Sequence, residues 1–309
     1  MAAITSRNFT ERSIERLSRV SALRVIEPEI DLVGELGEGR LIADELISVA
    51  GIDVELTDEQ RAHLSREEVA AIADEGTRFE AVLTAGSALQ MSKAPDLTDP
   101  RITYLLHELG EETRHSRLFI GLLASIGTST RNPFERGLLG YVKHRVVRDL
   151  ILGRPLLMDV LVLAGEEIPD LIQKRMAEHP GTDPYLAEVN RYHRQEEARH
   201  LSYARAVVPD VWAKASRVDR RAVAVVAPKI IGGMFDMLVH PGVYDVIGLP
   251  GWDTWKQVRA SEKRVALRHE ATRPVLAALI DAGAVTPGSV PSGWQSLCGV
   301  DRHGAPVGA

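Results

Sequence analysis

One cysteine, Cys298, stands in the 309 residues of this chain. A lone thiol excludes a disulfide framework and a cysteine-built metal cluster, and it fits a reducing cytoplasm. Positive charge is also short. Lys and Arg number 37 against 43 Asp and Glu, a net charge of −6, and no basic segment stands out. A nucleic-acid partner is therefore not expected. Long apolar runs are missing too. The most apolar region, 222–239, is interrupted by Pro228, Lys229 and Asp236, whereas a spanning helix wants about 20 predominantly apolar residues; no membrane segment is expected. The first twenty residues lack the apolar core of a secretory signal. No run of alternating polarity is long enough for a sheet, and no GxGxxG, P-loop or GxSxG pattern occurs. What remains, 45% apolar and 26% charged, is ordinary for a soluble globular chain.

Against that background one stretch stands out, NRYHRQEEARHLSYARAV at 190–207. His193, Glu197 and His200 lie at i, i+4 and i+7, which stacks them on one face of an α-helix. Val189, Tyr192, Ala204 and Val207 fall on or beside the same stripe, and the arginines fall elsewhere. Two imidazoles and a carboxylate on an apolar face are costly to bury without a partner, and a metal ion is an economical one. A single Glu-x-x-His pair can arise by chance. Here it occurs twice: ELGEETRHSRLF at 108–119 repeats the pair as Glu112 and His115, again with a second Glu before it and an Arg before the His. Helix bundles that hold dinuclear carboxylate sites draw Glu-x-x-His from each of two helices and a lone Glu from each of two more.

The chain supplies those lone carboxylates in order. After a polar amphipathic helix (8–24) and an irregular segment (25–62), Ser65 and Glu68 form a capping box that predicts a helix from there to about Lys93. Its inward stripe is Val69, Ile72, Ala73, Gly76, Glu80, Leu83, Ser87 and Met91, so Glu80 is the one carboxylate among small and apolar positions. The next helix, from about Pro100 to Ile126, carries Leu105, Glu108, Glu112, His115, Phe119 and Leu122 on its stripe; Glu108 reads as a hydrogen-bond partner to the ligands or as solvent-facing. A helical segment at 134–148 leads to a buried helix from about Pro155 to Ala177, whose apolar run ends at Glu166 and Glu167. One of the two is the lone carboxylate, with Glu166 preferred; Pro169 can kink the helix and obscures the phase. A loop at 178–184 precedes the 190–207 helix. Further helices are expected at 210–226 and 255–282, and the Gly- and Pro-rich stretch from Thr286 reads as irregular. The expected fold is all-α: residues 1–309 form one domain with a dinuclear metal site between four core helices (about 65–207), additional packing helices over 210–285 and an irregular tail at 286–309.

The order Glu80, Glu112/His115, Glu166, Glu197/His200 offers four carboxylates and two imidazoles, a set that suits two iron ions (Fe2+/Fe3+) or manganese and argues against structural zinc. His193 makes a seventh ligand. His107, His144, His179, His240, His269 and His303 have no comparable spacing.

The pattern Glu, ExxH, Glu, HxxxExxH resembles the diiron N-oxygenases related to p-aminobenzoate N-oxygenase, within the ferritin-like superfamily. The paired ExxH set alone is shared with ribonucleotide reductase small chains, acyl-carrier-protein desaturases and bacterial monooxygenases; the extra His one turn before the second Glu is similar to the N-oxygenases. The resemblance implies Glu80, Glu112, His115, Glu166, His193, Glu197 and His200 as metal ligands, with Glu112 and Glu197 bridging. It implies dioxygen activation by the metal pair, an external electron donor, and an arylamine or other small amine oxidised to hydroxylamine and nitro products, with no catalytic residue beyond the ligands. A homodimer is compatible with this reading, and Arg264 or Arg268 could hold a substrate carboxylate. The alternatives are a diiron C-hydroxylase or desaturase, which a long apolar channel would favour, and a ferritin-like iron-binding protein without organic substrate. A radical-generating reductase subunit is disfavoured because the tyrosines beside the motifs, Tyr192 and Tyr203, sit on the ligand helix itself.

Overall fold

Asp99 and Gly127 bracket the helix that carries the first Glu-x-x-His pair. In the computed structural model, which describes residues 2–128, 130, 132–135 and 137–307 (side chains of 2–9, 135 and 137–144 excepted), the Asp99 carboxylate accepts from the Arg101 N–H, and Gly127 takes the left-handed conformation (φ 66°) that closes the last turn on the Leu123 carbonyl. Helix α1 (Ala2–Leu23) precedes the core. The core is α2 (Asp58–Ser92), α3 (Pro100–Ile126), α5 (Pro155–Glu178) and α6 (Pro184–Lys214), with α4 (Gly137–Leu152) between the two halves. Short connections make α2/α3 and α5/α6 neighbouring pairs, and the two pairs pack on each other through α2 with α5 and α3 with α6. Helix α1 lies across α3 and α6, burying Ile14 and Leu17 with Tyr104, Leu105, Tyr203 and Val207. Among the described residues there is no strand, only an isolated bridge between Val300 and Pro306.

Several boundaries differ from the sequence reading. Helix α2 begins at Asp58 rather than Ser65, because Thr57 and Gln60 form a capping box of their own. Ser65 and Glu68 are used otherwise. Ser65 accepts from the Leu41 N–H and donates to the Ala62 carbonyl, while the Glu68 carboxylate accepts from the Ser48 N–H and hydroxyl. Both therefore pin the irregular 25–57 segment, which contains single turns at Pro28–Asp31 and Ser48–Gly51. Helix α6 continues through Pro209 to Lys214. Beyond it, a short turn (Arg217–Arg221) and a π-turn (Ala222–Val226) lead into α7 (Ala227–Met237); Pro228 cannot donate a backbone hydrogen bond to the preceding turn, which suits the wider winding there. The 255–282 segment is two helices, α8 (Gly251–Ala260) and α9 (Glu262–Asp281), split where the Ser261 hydroxyl caps the second. The tail holds α10 (Ser292–Cys298), which forms because Trp294, Leu297 and Cys298 are buried and the Trp294 indole N–H donates to the Val223 carbonyl at 3.0 Å. Residues Arg217–Asp245 are long and apolar enough by composition to cross a membrane, and Val223, Ile231 and Phe235 on that stretch are buried in the core.

Burial raises the Glu68 carboxyl to about 7, against the pull of Ser48 and of Arg264 and Lys263. A carboxyl with a raised folded-state pKa stabilises the fold below its ordinary pKa of 4.5, and that stability is lost as pH rises through about 7. Glu68→Gln is expected to remove up to about 3 kcal/mol of this pH dependence. Urea titrations of both proteins between pH 4.5 and 8 measure it; parallel stability curves would contradict the assignment.

Candidate metal centre

Each of the four core helices turns buried carboxyl or imidazole groups toward one point at their centre. Glu80 comes from α2, Glu112 and His115 from α3, Glu166 from α5, and His193, Glu197 and His200 from α6; all seven are at most 3% exposed. They fall into two groups whose donor atoms lie within 4.8 Å of one another, each able to hold a metal ion: Glu80, His115, His193 and Glu197 in one, and Glu112, Glu166, Glu197 and His200 in the other. All seven residues read from the sequence are therefore brought together. Glu166 is the α5 residue that enters the cluster, whereas Glu167 points away and pairs with Arg205. Glu108 belongs to neither group. It is buried rather than solvent-facing, and burial pushes its carboxyl up to about 8.

Two carboxylates span both groups. Glu197 has one oxygen 3.0 Å from His115 Nδ1 and 3.5 Å from His193 Nε2, and the other 2.9 Å from His200 Nδ1. Glu112 has one oxygen 3.2 Å from His115 Nδ1 and the other 3.0 Å from His200 Nδ1.

The donor set fits a metal pair on the structure's own terms. Glu80 Oε2, Glu166 Oε1 and His193 Nε2 are buried without a hydrogen-bond partner, an arrangement that proteins avoid unless something else binds there. Burial and then Glu112 carry the Glu80 carboxyl well above its ordinary range; burial and then Glu197 do the same to Glu166. Burial works against the charged imidazoles of His115 and His200, but the surrounding carboxylates, Glu112, Glu196 and Glu197 for the first and Glu197 and Glu112 for the second, hold both well above the usual value. Burial and the neighbouring His115 lower His193 to about 4, so it is neutral.

The far side of each imidazole is held as well. His200 Nε2 donates to Glu111 Oε2 at 2.7 Å, His115 Nε2 donates to Glu196 Oε2 at 3.1 Å, and His193 Nδ1 donates to Gln173 Oε1 at 2.9 Å. These bonds fix the tautomers that leave Nδ1, Nδ1 and Nε2, respectively, facing the centre. The first two bonds cross between helices: the leading Glu of EETRH on α3 serves the His of EEARH on α6, and the reverse. Arg199 bonds Glu111 at 2.8 Å and Glu196 at 3.2 Å, Arg114 bonds Glu196 at 3.2 Å, and Ser21 of α1 accepts from Arg199 at 3.1 Å. Tyr192 also donates to Glu196, at 2.9 Å. Despite burial, His115 and then Arg114 hold Glu196 down to about 2, and His200 and then Arg199 keep Glu111 below its usual range. The role of Glu111, Glu196, Arg114 and Arg199 was not assigned from the sequence, although the doubled Glu and the Arg of both motifs were its signal; Gln173 left none. Glu196→Gln is expected to weaken metal binding roughly 10–100-fold while two ions still bind at saturation. Competition titration against a chromophoric chelator reads this directly, and wild-type affinity would rule out the role.

A cavity of about 450 Å³ opens against the cluster, with Glu80, Glu166 and His193 in its wall. Elsewhere its lining is chiefly alkyl and aromatic, including Phe79, Leu83, Phe119, Met158, Leu161 and Met234. Helices α2 and α5 approach closely here: a Cβ on Gly165 would sit 1.9 Å from the Phe79 ring, so only glycine lets that ring lie where it does. Of the two arginines singled out for a substrate carboxylate, Arg264 is taken up internally, stacked 4.2 Å over Phe235 and bonded to its carbonyl. Arg268 instead lines a second cavity of about 530 Å³ beside the first.

The family model described as P-aminobenzoate N-oxygenase AurF matches residues 7–283. An uncharacterized protein of Mycobacterium tuberculosis is 29% identical over 174 residues, 56% of this chain and 50% of that protein. An uncharacterized protein of Mycobacterium bovis matches with the same identity and coverage. The chain spans about half the length of the curated relatives it matches. No solved structure matches it.

Proposed function

The chain belongs to the p-aminobenzoate N-oxygenase family, and from that premise we propose that it is a diiron oxygenase whose substrate is an amine, oxidised at nitrogen to the hydroxylamine and onward to the nitro compound. The observation that carries this reading is the seven-donor cluster with His193 in the cavity wall. Glu80, His115 and His193 would hold one iron and Glu166 and His200 the other, with Glu112 and Glu197 within reach of both. The two-sided contacts of Glu112 and Glu197 support the bridging role. Oxygen and nitrogen donors of this kind suit iron, and manganese is the nearest competitor.

When bound, a reduced iron pair supplies electrons to dioxygen. The chain's own residues do the rest. Glu111, Glu196 and Gln173 keep each imidazole in its ligand tautomer. The apolar wall built by Phe79, Phe119 and Leu161 excludes water from the reacting end of the cavity and orients the substrate nitrogen toward the cluster. Conversion of an amine to a hydroxylamine takes one oxygen atom into the new N–O bond and releases the other as water. It requires two electrons and two protons, which an external donor provides.

A second reading, hydroxylation or desaturation of an alkyl chain, is favoured by the apolar character of the same cavity. Iron analysis of the purified protein, followed by dioxygen uptake and mass spectrometry with p-aminobenzoate and with fatty amines under isotopically labelled dioxygen, decides between them. Two irons per chain and label on nitrogen support the proposal. Label on carbon, or an unlabelled product two hydrogens lighter than its substrate, transfers it to the second reading, uptake with iron alone transfers it to a ferritin-like role, and a chain without stoichiometric metal ends all three.

A further inference from the structure

The cavity against the cluster does not end in a closed wall. It shares Phe134, Lys229, Gly233 and Met237 with the second cavity, which lies among α7, α8, α9 and α10. The two chambers differ in chemistry. Apart from the cluster, the charged residues lining the inner one are Glu75, bonded to Asn132, Arg78, paired with Asp74 at 2.9 Å, and Lys229, which it shares with the outer chamber. The outer chamber is lined by three cations, Lys229, Arg259 and Arg268, against one carboxylate, Asp236. Arg259 takes Asp236 at 2.7 Å. Lys229 and Arg268 make no ion pair among the described residues, and Arg268 Nε is buried without an acceptor. An N–H without an acceptor is unfavourable in a folded chain, and the Arg268 side chain that carries this one lines the outer chamber.

We propose that the substrate is an elongated amphiphile: an apolar body fills the inner chamber and brings its reacting end to the cluster, and an anionic head, a carboxylate or a phosphate, rests in the outer chamber on Lys229 and Arg268. This rests on the reading of the cluster as the oxygenation centre and adds the class of molecule it acts on. A single-ring amino acid placed with its nitrogen at the cluster would leave its carboxylate in the apolar chamber, where burial of an unpaired charge is unfavourable. A longer body carries the charge into the outer chamber, where Lys229 and Arg268 line the wall. The volume of each chamber is in the range that encloses small organic ligands.

The experiment is calorimetric binding to the iron-loaded protein under nitrogen, with hexanoate, decanoate, tetradecanoate, decan-1-ol and p-aminobenzoate as probes. Decanoate is expected to bind at least tenfold tighter than hexanoate, since each methylene buried contributes a few-fold, and tighter than p-aminobenzoate. Arg268→Gln combined with Lys229→Gln is expected to weaken decanoate at least tenfold and to leave decan-1-ol within twofold; Lys229→Gln alone, at an exposed position, gives the same selectivity in smaller measure. Affinity independent of chain length overturns the proposal, as does a loss equal for acid and alcohol, or no loss, which would place the carboxylate on the metals instead. A protein that shows this selectivity but, given dioxygen and an electron donor, oxidises neither 10-aminodecanoate nor p-aminobenzoate keeps the amphiphile site and sinks the oxygenase reading; oxidation of amines without this selectivity does the reverse.

Discussion

Glu197→Ala is expected to empty the centre of both metal ions, lowering iron content by an order of magnitude or more and oxygenation on the order of a thousandfold. The expectation follows from the position of its two oxygens. Glu197 is the residue common to the two donor groups, with one oxygen among His115 and His193 and the other beside His200. Its loss removes a donor from each ion at once. Glu80→Ala or Glu166→Ala removes one donor from one group and is expected to leave a partly loaded, asymmetric centre. Glu167→Ala is the control, because its carboxylate pairs with Arg205 outside the cluster; metal content should match wild type. Elemental analysis of the four proteins after anaerobic loading gives the result without reference to any substrate. A Glu197→Ala protein that retains two ions per chain would sink the assignment of ligands.

That prediction could be drafted from the sequence because the information for the centre is periodic and local. Glu-x-x-His is one turn of one helix, and a cap such as Asp99 or a terminator such as Gly127 acts on its immediate neighbours. Glu80 was legible for the same reason, as the one acid on an apolar stripe. Choosing Glu166 over Glu167 needed the structure, since adjacent residues on a helix differ by about 100° and Pro169 blurs the phase. Interactions between helices left weaker traces. The pairing of Glu111 with His200 and of Glu196 with His115 is a consequence of how α3 and α6 face one another, which neither motif states alone. The false helix start at Ser65 is instructive in the same way. Ser65 and Glu68 have the spacing of a cap, but their side chains serve Leu41 and Ser48, more than 15 positions upstream. The helix at Ser292–Cys298 was hidden by glycines and prolines, and tertiary burial of Trp294 overrode them. The cavities have no sequence period, since their walls are assembled from separate helices.

Loading of a divalent metal pair near pH 6.5 is expected to release up to four protons. In the metal-free cluster Glu80 and Glu166 are carried well above their ordinary range by burial and then by the neighbouring carboxylates, and His115 and His200 are held well above theirs by Glu112, Glu196 and Glu197 in spite of burial. Two carboxyls and two imidazoles make the four protons. Glu112 and Glu197 stay ionised, because the imidazolium neighbours outweigh burial and mutual repulsion. His193, lowered to about 4, is already free to bind and releases nothing above that pH. The cluster is thus near neutral in both states: two carboxylates face two imidazolium ions without metal, and four carboxylates face two divalent ions with it. Metal and protons compete for the same atoms, so the sign is fixed. Affinity for the pair falls as pH falls, by as much as about 10⁴ per pH unit where all four groups are protonated, and levels off as pH rises through their folded-state values. Calorimetry of zinc or anaerobic ferrous binding in buffers of different ionisation enthalpy counts the protons. Release of two would mean that one pair, the carboxyls of Glu80 and Glu166 or the imidazoles of His115 and His200, has lost its protons before metal arrives. Release near zero, or affinity indifferent to pH, would mean that the ions bind elsewhere than at these four groups.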